Sequence, residues 1–489
     1  MSISTPLMSN EGLSSRQELY SGLLNQSDIA KMKFRGYASA VKLSNNYLTI
    51  HTTKTPERVL LNINTSDLIG ASLIGKSTDI NILEIVYYPL DTGFCTSHVH
   101  GNVRMRKVII LDFLENSQTC ENWLNVIRYI VSGLSLPEVL DGDLERGTRV
   151  DFKVTPPASR HFLVVVNPVG GKRQGKQIWK RYVEPMLKEA GIMVTLLITD
   201  RANHARDAML ELEADPAATF QACLCIGGDG IIFEVVNGII SREGGDVTLK
   251  GLPLVHIPGG TGNGLAKSVL FACSEACTPL NATFVAIRGH THALDLARIN
   301  TCDDKSHISF LSLAWGLVSD VDILSESMRY LGETRLYVAA LYFMIRRRYY
   351  SGRLRMKLVD TSTPVPSAAD LVLGADGWAV IESPFLLVWS VQTSHTGMNI
   401  HSGPGVRLDD GVFTVAIVQE MSRWEMLELL LSIDSGDHVN HPKVKLFKCT
   451  EYTLEPLTEE GIYSLDGEVV PYGLLQAKVL PSAATVLTL

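Results

Sequence analysis

The sequence has no surplus of basic residues and no long apolar run. Its 489 residues carry 44 Lys and Arg against 52 Asp and Glu, which gives a formal net charge of −8 at pH 7. Broad nucleic-acid binding needs a basic surface, so no nucleic-acid partner is expected. No stretch approaches the ~20 apolar residues that cross a bilayer, and the polar N-terminus lacks the features of a signal peptide. We therefore expect a cytoplasmic protein that contacts membranes only peripherally.

Cysteine is also scarce. The eight cysteines include the close pairs Cys223/Cys225 and Cys273/Cys277. Neither pair has a second Cys or His pair at zinc spacing nearby, so the pattern favours neither a zinc site nor a disulfide framework. Buried, reduced thiols are the expected state, as in the cytosol.

The chain is predicted to be multidomain. Residues 1–30 are polar and predicted to be flexible. Residues 31–134 contain short alternating strands, followed by a helix with Trp123, Val126, Ile127 and Ile130 on one face. Several strands closed by one such helix resemble a pleckstrin-homology-like domain, with an unrelated small β domain as the alternative. Residues 135–159 are predicted to be a linker rich in charge, Gly and Pro.

Two further regions follow the linker. Residues 160–290 alternate helical segments with near-continuous apolar runs at 162–166, 194–198, 222–226 and 254–257. Such runs predict parallel strands covered on both faces by helices. Residues 291–489 are predicted to form a second, largely antiparallel lobe, with one long helical stretch near 326–348.

Glycine-rich loops follow the first, third and fourth of these runs. Their sequences are Asn167-Pro168-Val169-Gly170-Gly171-Lys172, Gly227-Gly228-Asp229-Gly230 and Pro258-Gly259-Gly260-Thr261-Gly262-Asn263-Gly264. Glycine allows a ligand to approach the main chain, and helix N-termini favour phosphate. Ligands bind at the carboxyl ends of strands in open α/β sheets, so the loops predict a nucleotide site. There is no Walker P-loop, and no dinucleotide fingerprint follows the first strand.

These loops, in this order and spacing, resemble the diacylglycerol kinase catalytic superfamily. Within it, the run from Ser312 to Asp322 resembles sphingosine kinases, as do Ser325-Glu326, Arg329, Leu331-Gly332-Glu333 and Arg335. The match extends over roughly residues 160–475. It implies an α/β nucleotide-binding lobe at 160–290 and a β-sandwich lipid-substrate lobe at 291–489.

The resemblance implies a kinase that transfers phosphate from ATP, with Mg²⁺, to the primary hydroxyl of a sphingoid long-chain base. Asp229, on its glycine turn, would be the catalytic base; the alternative is that it only caps the following helix. The implied ATP-binding residues are Asn167, Pro168, Val169, Gly170, Gly171, Thr199, Asp200, Arg201, Ala202, Asn203, Glu234, Gly260, Thr261, Gly262, Arg329, Arg335, Asp466, Gly467 and Glu468. The Mg²⁺ ligand stays unassigned, with Asp229 and Asp466 as candidates.

The implied substrate-binding residues are Gly227, Gly228, Asp229, Gly230 and Asp322. A sphingoid base carries an ammonium group that the Asp322 carboxylate would neutralise. Ceramide and diacylglycerol lack this charge, which argues against ceramide kinase and diacylglycerol kinase as alternatives. A buried helix cap is the other interpretation of Asp322.

Two other classes of protein are open. A catalytically inactive lipid-binding protein would not need Asp229 and its glycine loops. An enzyme similar to NAD kinases would not need the apolar stretch at 336–345. That stretch continues into Arg346, Arg347 and Arg348, and a basic, aromatic end suits an anionic membrane. We expect it to form part of an acyl-chain pocket and its gate, with a core helix as the alternative.

Overall fold

The computed structural model describes residues 32–34, 37–43, 46–52, 59–74, 82–91, 102–113, 117–134, 154–171, 173–212, 215–328, 335–359, 371–374 and 377–489. The chain divides into two compact units. One consists of residues 1–96, 102–160 and 185–193, and the other of residues 97–101, 161–184 and 194–489.

The first unit contains a seven-stranded antiparallel sheet with the strand order β4-β3-β2-β1-β7-β6-β5. The strands are β1 (Met32–Phe34), β2 (Tyr37–Leu43), β3 (Tyr47–Thr52), β4 (Val59–Asn64), β5 (Leu68–Ile74), β6 (Ile82–Tyr87) and β7 (Lys107–Asp112). A 3₁₀ turn, Thr65–Asp67, joins β4 to β5, and helix α1 (Ser117–Ser132) follows β7. The predicted helix is therefore present, and it buries Trp123, Val126 and Ile127.

The second unit, together with residues 185–193 of the first, contains alternating strands and helices. The strands are β8 (His161–Val166), β9 (Met193–Ile198), β10 (Ala222–Gly227) and β11 (Leu254–Pro258). The helices are α2 (Gly175–Ile178), a π-helical turn (Trp179–Val183), α3 (Glu184–Glu189), α4 (His204–Glu211), α5 (Pro216–Thr219), α6 (Asp229–Ile240), α7 (Gly245–Gly251), α8 (Gly264–Ala272) and α9 (Pro279–Arg288). The four apolar runs of the sequence thus coincide with β8 to β11. Strand β10 pairs in parallel with β8 and with β11, so the loops that follow these three strands lie at one edge of the sheet.

The rest of this unit is mainly antiparallel. Its strands are β12 (His290–Asn300), β13 (Ser306–Ser309), β14 (Ser312–Gly316), β15 (Tyr350–Leu358), β16 (Leu371–Leu373), β17 (Trp378–Phe385), β18 (Leu387–Val391), β19 (Phe413–Val418), β20 (Lys445–Pro456), β21 (Tyr463–Leu465), β22 (Glu468–Val470) and β23 (Leu475–Thr488). Its helices are α10 (Leu317–Ser327), α11 (Arg335–Arg346), α12 (Arg423–Ser432) and a 3₁₀ turn at Asp437–Asn440.

One sixteen-stranded sheet runs through both regions of the second unit, with the main path β22-β21-β14-β18-β19-β20-β23-β11-β10-β8-β9. Strand β23 connects them. It pairs in parallel with β11 at Leu254 and Val486, and antiparallel with β12 and β20. The parallel strands β8 to β11 and the antiparallel strands therefore belong to one continuous sheet.

The helical segment predicted near 326–348 differs from the observed structure. Helix α10 ends at Ser327 and α11 begins at Arg335, and the residues between 328 and 335 lie outside the described part of the chain. Buried residues of β14, β18, β19 and α12 form one apolar cluster, which Val318, Val321 and Phe343 contact. Among the residues that the structure describes, no helix has both the length and the apolar character to cross a membrane.

Candidate active site

The three glycine loops pack directly against one another. A Cβ added to Gly260 would lie 2.3 Å from the Cα of Gly228, and one added to Gly171 would lie 2.8 Å from the Cα of Gly260. Contacts this close exclude any side chain. The loops predicted separately from the sequence therefore form a single surface of main-chain atoms, which is what a polyphosphate needs for close approach.

Asp229 occupies the centre of this surface as the first residue of α6. Its Oδ2 accepts a hydrogen bond from the N–H of Gly264 at 3.0 Å, and its Oδ1 accepts one from the N–H of Leu265 at 3.2 Å. The carboxylate thus binds the N-terminus of α8, a helix other than its own. Each oxygen retains a further lone pair. The side chain is 10% exposed, so it is both fixed and accessible.

His256 on β11 contacts the two segments that surround Asp229, the end of β10 and the start of α8. Its Nε2 lies 3.0 Å from the carbonyl oxygen of Gly227, and its Nδ1 lies 3.3 Å from the backbone N of Ala266. A carbonyl accepts and an N–H donates, so in these two bonds Nε2 is the donor and Nδ1 is the acceptor. His256 therefore ties the end of β10 to the first turn of α8.

Two asparagines set the shape of the flanking loops. The Oδ1 of Asn167 accepts hydrogen bonds from the N–H groups of Val169 and Gly170, at 3.0 and 2.9 Å. Asn263 has a left-handed φ of 55°, and its Oδ1 accepts the N–H of Gly260 at 2.8 Å. Asparagine tolerates that conformation and makes such local bonds, which explains its presence in both loops.

The segment after β9 is held by Glu234 of α6. The two carboxylate oxygens of Glu234 accept the N–H groups of Asn203, at 3.0 Å, and Ala205, at 3.1 Å. Thr199 is buried, while Asp200 pairs with His204 at 2.8 Å and Arg201 pairs with Asp207 at 2.6 Å. Residues 199–203, including Ala202, are therefore a fixed border of the glycine surface, and Glu234 acts on their backbone.

The Asp466-Gly467-Glu468 segment is the tight turn between β21 and β22. Asp466 and Gly467 both have positive φ, as a two-residue hairpin loop requires. The Asp466 carboxylate accepts the hydroxyl of Ser309 at 2.8 Å and the backbone N–H groups of residues 310, 311 and 312. Burial raises its pKa to about 6, although these donors act in the opposite direction.

Glu468, in contrast, is exposed and lies beside the Gly227–Gly230 turn. A Cβ built on Gly230 would lie 3.4 Å from the Oε1 of Glu468. This side chain therefore approaches the Asp229 region from the antiparallel part of the sheet. Asp466 holds the turn in place, and Glu468 is the member of the segment whose carboxylate faces the glycine loops.

Asp322 lies on α10, and its Oδ2 accepts the hydroxyl of Ser464 at 2.8 Å. Ser464 belongs to β21, the strand that leads into the Asp466 turn. The same hairpin therefore contacts both the proposed acceptor carboxylate and the glycine surface. Asp320, two residues earlier, is buried and accepts the hydroxyl of Tyr350 at 2.5 Å. Burial raises the pKa of Asp320, so the two carboxylates have different environments.

The two arginines predicted to bind ATP, Arg329 and Arg335, have no described side-chain contacts. Arg329 lies outside the described residues, and Arg335 is described only as the first residue of α11. Both stay predictions as nucleotide contacts.

Several residues of this site were not singled out from the sequence. His256 stands in an apolar strand and Ser464 stands 142 positions from its partner, so local patterning gives no signal for either. Asn263 was visible as part of the third glycine loop. Its role in shaping the loop follows only from its left-handed φ and its hydrogen bond to Gly260, which the structure shows.

The donor set suits a cation that binds mainly to phosphate. Within the described residues, no group of three or more His, Cys, Asp and Glu side chains is placed to hold a metal. Mg²⁺ in kinases keeps several waters and uses only one or two carboxylates beside the substrate phosphates. Asp229, at the centre of the glycine surface, and Glu468, beside Gly230, match that number of carboxylates.

Two family models match the chain. The diacylglycerol kinase catalytic domain matches residues 161–299, and the YegS C-terminal NAD kinase beta sandwich-like domain matches residues 329–488. The chain also resembles a crystal structure named as that of a candidate diacylglycerol kinase from Bacillus anthracis str. Sterne, with a TM-score of 0.51 and 21% identity. The match covers 68% of this chain and 97% of that one, and it supports the shared fold.

The curated relatives that resemble this chain identify which branch of the superfamily it belongs to. Sphingosine kinase 1 of Mus musculus is 32% identical over 349 residues, which cover 67% of this chain and 90% of the relative. Sphingosine kinase 1 of Arabidopsis thaliana is 31% identical, over 64% of this chain and 69% of the relative. Sphingoid long chain base kinase 4 of Schizosaccharomyces pombe is 26% identical, over 84% and 89% respectively. The chain belongs to the sphingosine kinase family, within the diacylglycerol kinase catalytic superfamily.

Proposed function

We propose that this protein transfers the γ-phosphoryl group of ATP to the primary hydroxyl of a sphingoid long-chain base, giving the 1-phosphate and ADP. The observation that carries the proposal is the position of Asp229, at the junction of three glycine loops. A phosphoryl transferase needs a positioned base beside a phosphate cradle. Membership of the sphingosine kinase family supports the same reaction.

ATP is proposed to lie over the glycine surface. Gly170, Gly171, Gly260 and Gly262 would contact its phosphates through the main chain, and residues 199–203 would border the rest of the nucleotide. Arg329 and Arg335 are proposed to add positive charge, because guanidinium groups pair well with polyphosphate.

Mg²⁺ is proposed to enter with ATP, and bound there it would neutralise charge that develops on the phosphates. Glu468 is our preferred protein ligand, with Asp229 as the second candidate. Glu468 is exposed and its Oε1 lies beside Gly230, whereas the carboxylate of Asp466 is buried and directed at Ser309 and the backbone of residues 310–312. Asp466 is therefore proposed to act indirectly, by fixing the turn.

The acceptor lipid is proposed to bind through its ammonium group to Asp322. A carboxylate on a helix that contacts an apolar cluster can neutralise an amine at the polar end of a lipid. The hydroxyl of Ser464 donates to its Oδ2 and so orients the carboxylate. Ceramide and diacylglycerol have no such cation, and no feature of the described site favours either over a sphingoid base.

In the proposed step, the primary hydroxyl gives its proton to Asp229 as its oxygen forms a bond to the γ-phosphorus. The bond from that phosphorus to the bridging β–γ oxygen breaks, and ADP leaves. Asp229 then loses the proton to solvent. The N–H groups of Gly264 and Leu265 hold the carboxylate so that a free lone pair faces the acceptor.

We propose that each region of the chain has the role that the sequence analysis predicts for it. Residues 160–290 bind ATP, residues 291–489 bind the lipid, and residues 31–134 form a pleckstrin-homology-like domain between flexible and linker segments at 1–30 and 135–159. The strand order of the first unit, closed by α1, supports a pleckstrin-homology-like topology.

We further propose that the protein is cytoplasmic and contacts anionic membranes peripherally, through the exposed face of α11. One face of α11 is buried at Ala339 and Ala340, while Val338, Leu341 and Ile345 are 45%, 52% and 60% exposed. Tyr342 lies beside them under the guanidinium of Arg346, 5.7 Å from the ring centroid. An apolar face ending in arginines suits an anionic bilayer.

The test is a labelled-ATP assay with sphingosine, a hydroxylated sphingoid base, ceramide and diacylglycerol as acceptors. Wild type should phosphorylate the two sphingoid bases best, at the primary hydroxyl. Asp229→Asn should abolish turnover, and Val247→Ser, which changes an exposed residue on α7, should leave it intact. A preference for ceramide or diacylglycerol would reject the proposed substrate class.

A further inference from the structure

Helix α12 presents an unusual apolar face to solvent. Trp424 is 81% exposed and Leu431 is 68% exposed, the two highest values among large apolar side chains in the part of the chain that is described. They are seven residues apart, two helical turns, and therefore lie on the same face. The partly buried Leu427 lies between them. Exposed apolar surface of this kind marks an interaction site.

The helix that carries this face is firmly held. Its opposite side buries Met426 and Leu429 in the apolar cluster of the second unit. Its N-terminus has a capping box, in which Ser422 and Glu425 exchange hydrogen bonds. Lys443 also pairs with Glu425 at 2.9 Å. The exposure of Trp424 is therefore a property of a well-anchored helix rather than of a loose end.

The face adjoins α11. The Nη2 of Arg423 donates a hydrogen bond to the carbonyl oxygen of Ile345 at 3.2 Å, which joins the first turn of α12 to the last turn of α11. Ile345 is itself 60% exposed. The apolar residues of the two helices thus meet where Arg346 and Arg423, both exposed, are located.

The charges indicate what covers this surface. Arginines stand at the Trp424 end, whereas Glu428 and Asp437 border the Leu431 end. Tryptophan favours the boundary between headgroups and acyl chains, and arginine favours anionic headgroups. A bilayer satisfies both preferences at once. A second protein would match this surface only if it placed acidic groups opposite Arg346 and Arg423.

We propose that α12 docks on an anionic lipid bilayer through Trp424, with Leu431 inserted less deeply, and so extends the contact made by α11. The inference rests on the proposed function for the source of its lipid, because the acceptor must leave a membrane to reach Asp322. Its central claim, however, concerns binding rather than turnover. It can therefore be tested when no acceptor is present.

The experiment measures sedimentation of the full chain with phosphatidylcholine vesicles, with and without phosphatidylserine. Trp424→Ala should weaken binding to the anionic vesicles about tenfold, which corresponds to about 1.4 kcal/mol. Leu431→Ser should weaken it less. Val247→Ser is the matched control, because Val247 is 67% exposed on α7, and its binding should equal that of wild type.

A second readout separates docking from catalysis. Phosphorylation of sphingosine in detergent micelles should be equal in wild type and Trp424→Ala, while phosphorylation on vesicles should fall with binding. Wild-type vesicle binding by both α12 variants would overturn the proposal. So would a wild-type dimer that the variants convert to a monomer while vesicle binding is unchanged. Loss of vesicle binding in a protein that phosphorylates no sphingoid base would support docking and reject only the proposed reaction.

Discussion

The Nδ1 atom of His256 lies 3.5 Å from the Oδ1 atom of Asp229, deep beneath the glycine surface. The imidazole does not serve as a proton relay in this arrangement, because Nδ1 already accepts the N–H of Ala266. It instead fixes the two elements that hold the Asp229 carboxylate. We therefore expect His256 to support the proposed base Asp229, and this support can be weakened at either of its two hydrogen bonds.

His256→Gln and His256→Asn test the two sides of this support. A Gln amide can reach the Gly227 carbonyl but leaves the N–H of Ala266 unpaired, whereas an Asn carbonyl can accept that N–H and leaves the Gly227 carbonyl with the N–H of Gly259 as its donor. An unpaired buried N–H costs about 1–3 kcal/mol of stability and loosens the N-terminus of α8 that holds Asp229, so we expect kcat to fall roughly tenfold in His256→Gln and less in His256→Asn, with a small change in KM. Steady-state kinetics and thermal melting measure this. A lower Tm with an unchanged kcat would mean that His256 only stabilises the fold.

Asp229→Asn should leave the fold intact and remove the base. The Asn oxygen can accept only one of the two N–H groups of α8, so the variant should fold but lose about 1–3 kcal/mol of stability. General-base catalysis contributes about 10²–10⁴-fold, and we expect kcat to fall by at least about 100-fold. Single-turnover kinetics with labelled ATP measures the step. Turnover near the wild-type rate would exclude a role as base.

Asp322→Asn should raise the KM for sphingosine because the ammonium group loses its carboxylate. Truncating one partner of a charge pair at a binding site costs about 2–5 kcal/mol, so kcat/KM should fall at least about 30-fold. Ser464→Ala is the companion variant, which keeps the charge but removes its orienting hydroxyl, and its loss should be smaller. The KM for ATP serves as the control and should be unchanged in both. An equal rise in the KM for ATP would instead place Asp322 in the nucleotide site.

Gly260→Ala should separate the glycine loops. The new methyl would lie 2.3 Å from the Cα of Gly228, so one backbone has to move. Such overpacking costs about 1–3 kcal/mol, and we expect a lower Tm together with a higher KM for ATP. Gly191→Ala is the control, because a Cβ there meets nothing within 4 Å although its φ is +66°. It should lose some stability without affecting the KM for ATP.

His438 predicts how stability depends on pH. Burial lowers its pKa from the ordinary value of 6.5, and the residue is 3% exposed. Below pH 6.5 the unfolded chain therefore binds a proton that the folded chain refuses, so stability is complete above that pH and falls as the pH decreases. The slope from this histidine is at most about 1.4 kcal/mol per pH unit.

His438→Asn should reduce this acid sensitivity. Urea unfolding at about pH 7.5 and about pH 5.5 compares the two proteins, and the variant should lose less stability between them. Equal losses in the two proteins would assign the acid sensitivity to other groups. His401, whose pKa is also lowered by burial, is the first of these to examine.

The sequence was most informative where a residue's environment is uniform along a segment. The runs that became β8, β10 and β11 are buried on both faces, so every residue in them except His256 is apolar and the strands can be recognised. The glycine loops were recognisable because close backbone approach leaves no alternative residue. Both features restrict the residue type at consecutive positions, so they can be read directly from the sequence.

The sequence was least informative where function depends on distant partners. Asp466 carries a carboxylate in a motif, yet its bonds go to residues 309–312, more than 150 positions earlier. Asp322 and Ser464 are likewise distant, 142 positions apart. One helix was expected near 326–348, whereas α10 ends at Ser327 and α11 begins at Arg335. An apolar run does not show at which residue the helical hydrogen bonds stop.

Strand β23 has a consequence for how the protein is made. Val486 pairs with Leu254, and the same strand pairs with β12 along most of its length. During synthesis, β11 leaves the ribosome long before this neighbour does, and contacts so far apart in sequence form slowly. The nascent nucleotide half must therefore wait with an open sheet edge, a period in which chaperones can shield it and in which aggregation competes with maturation.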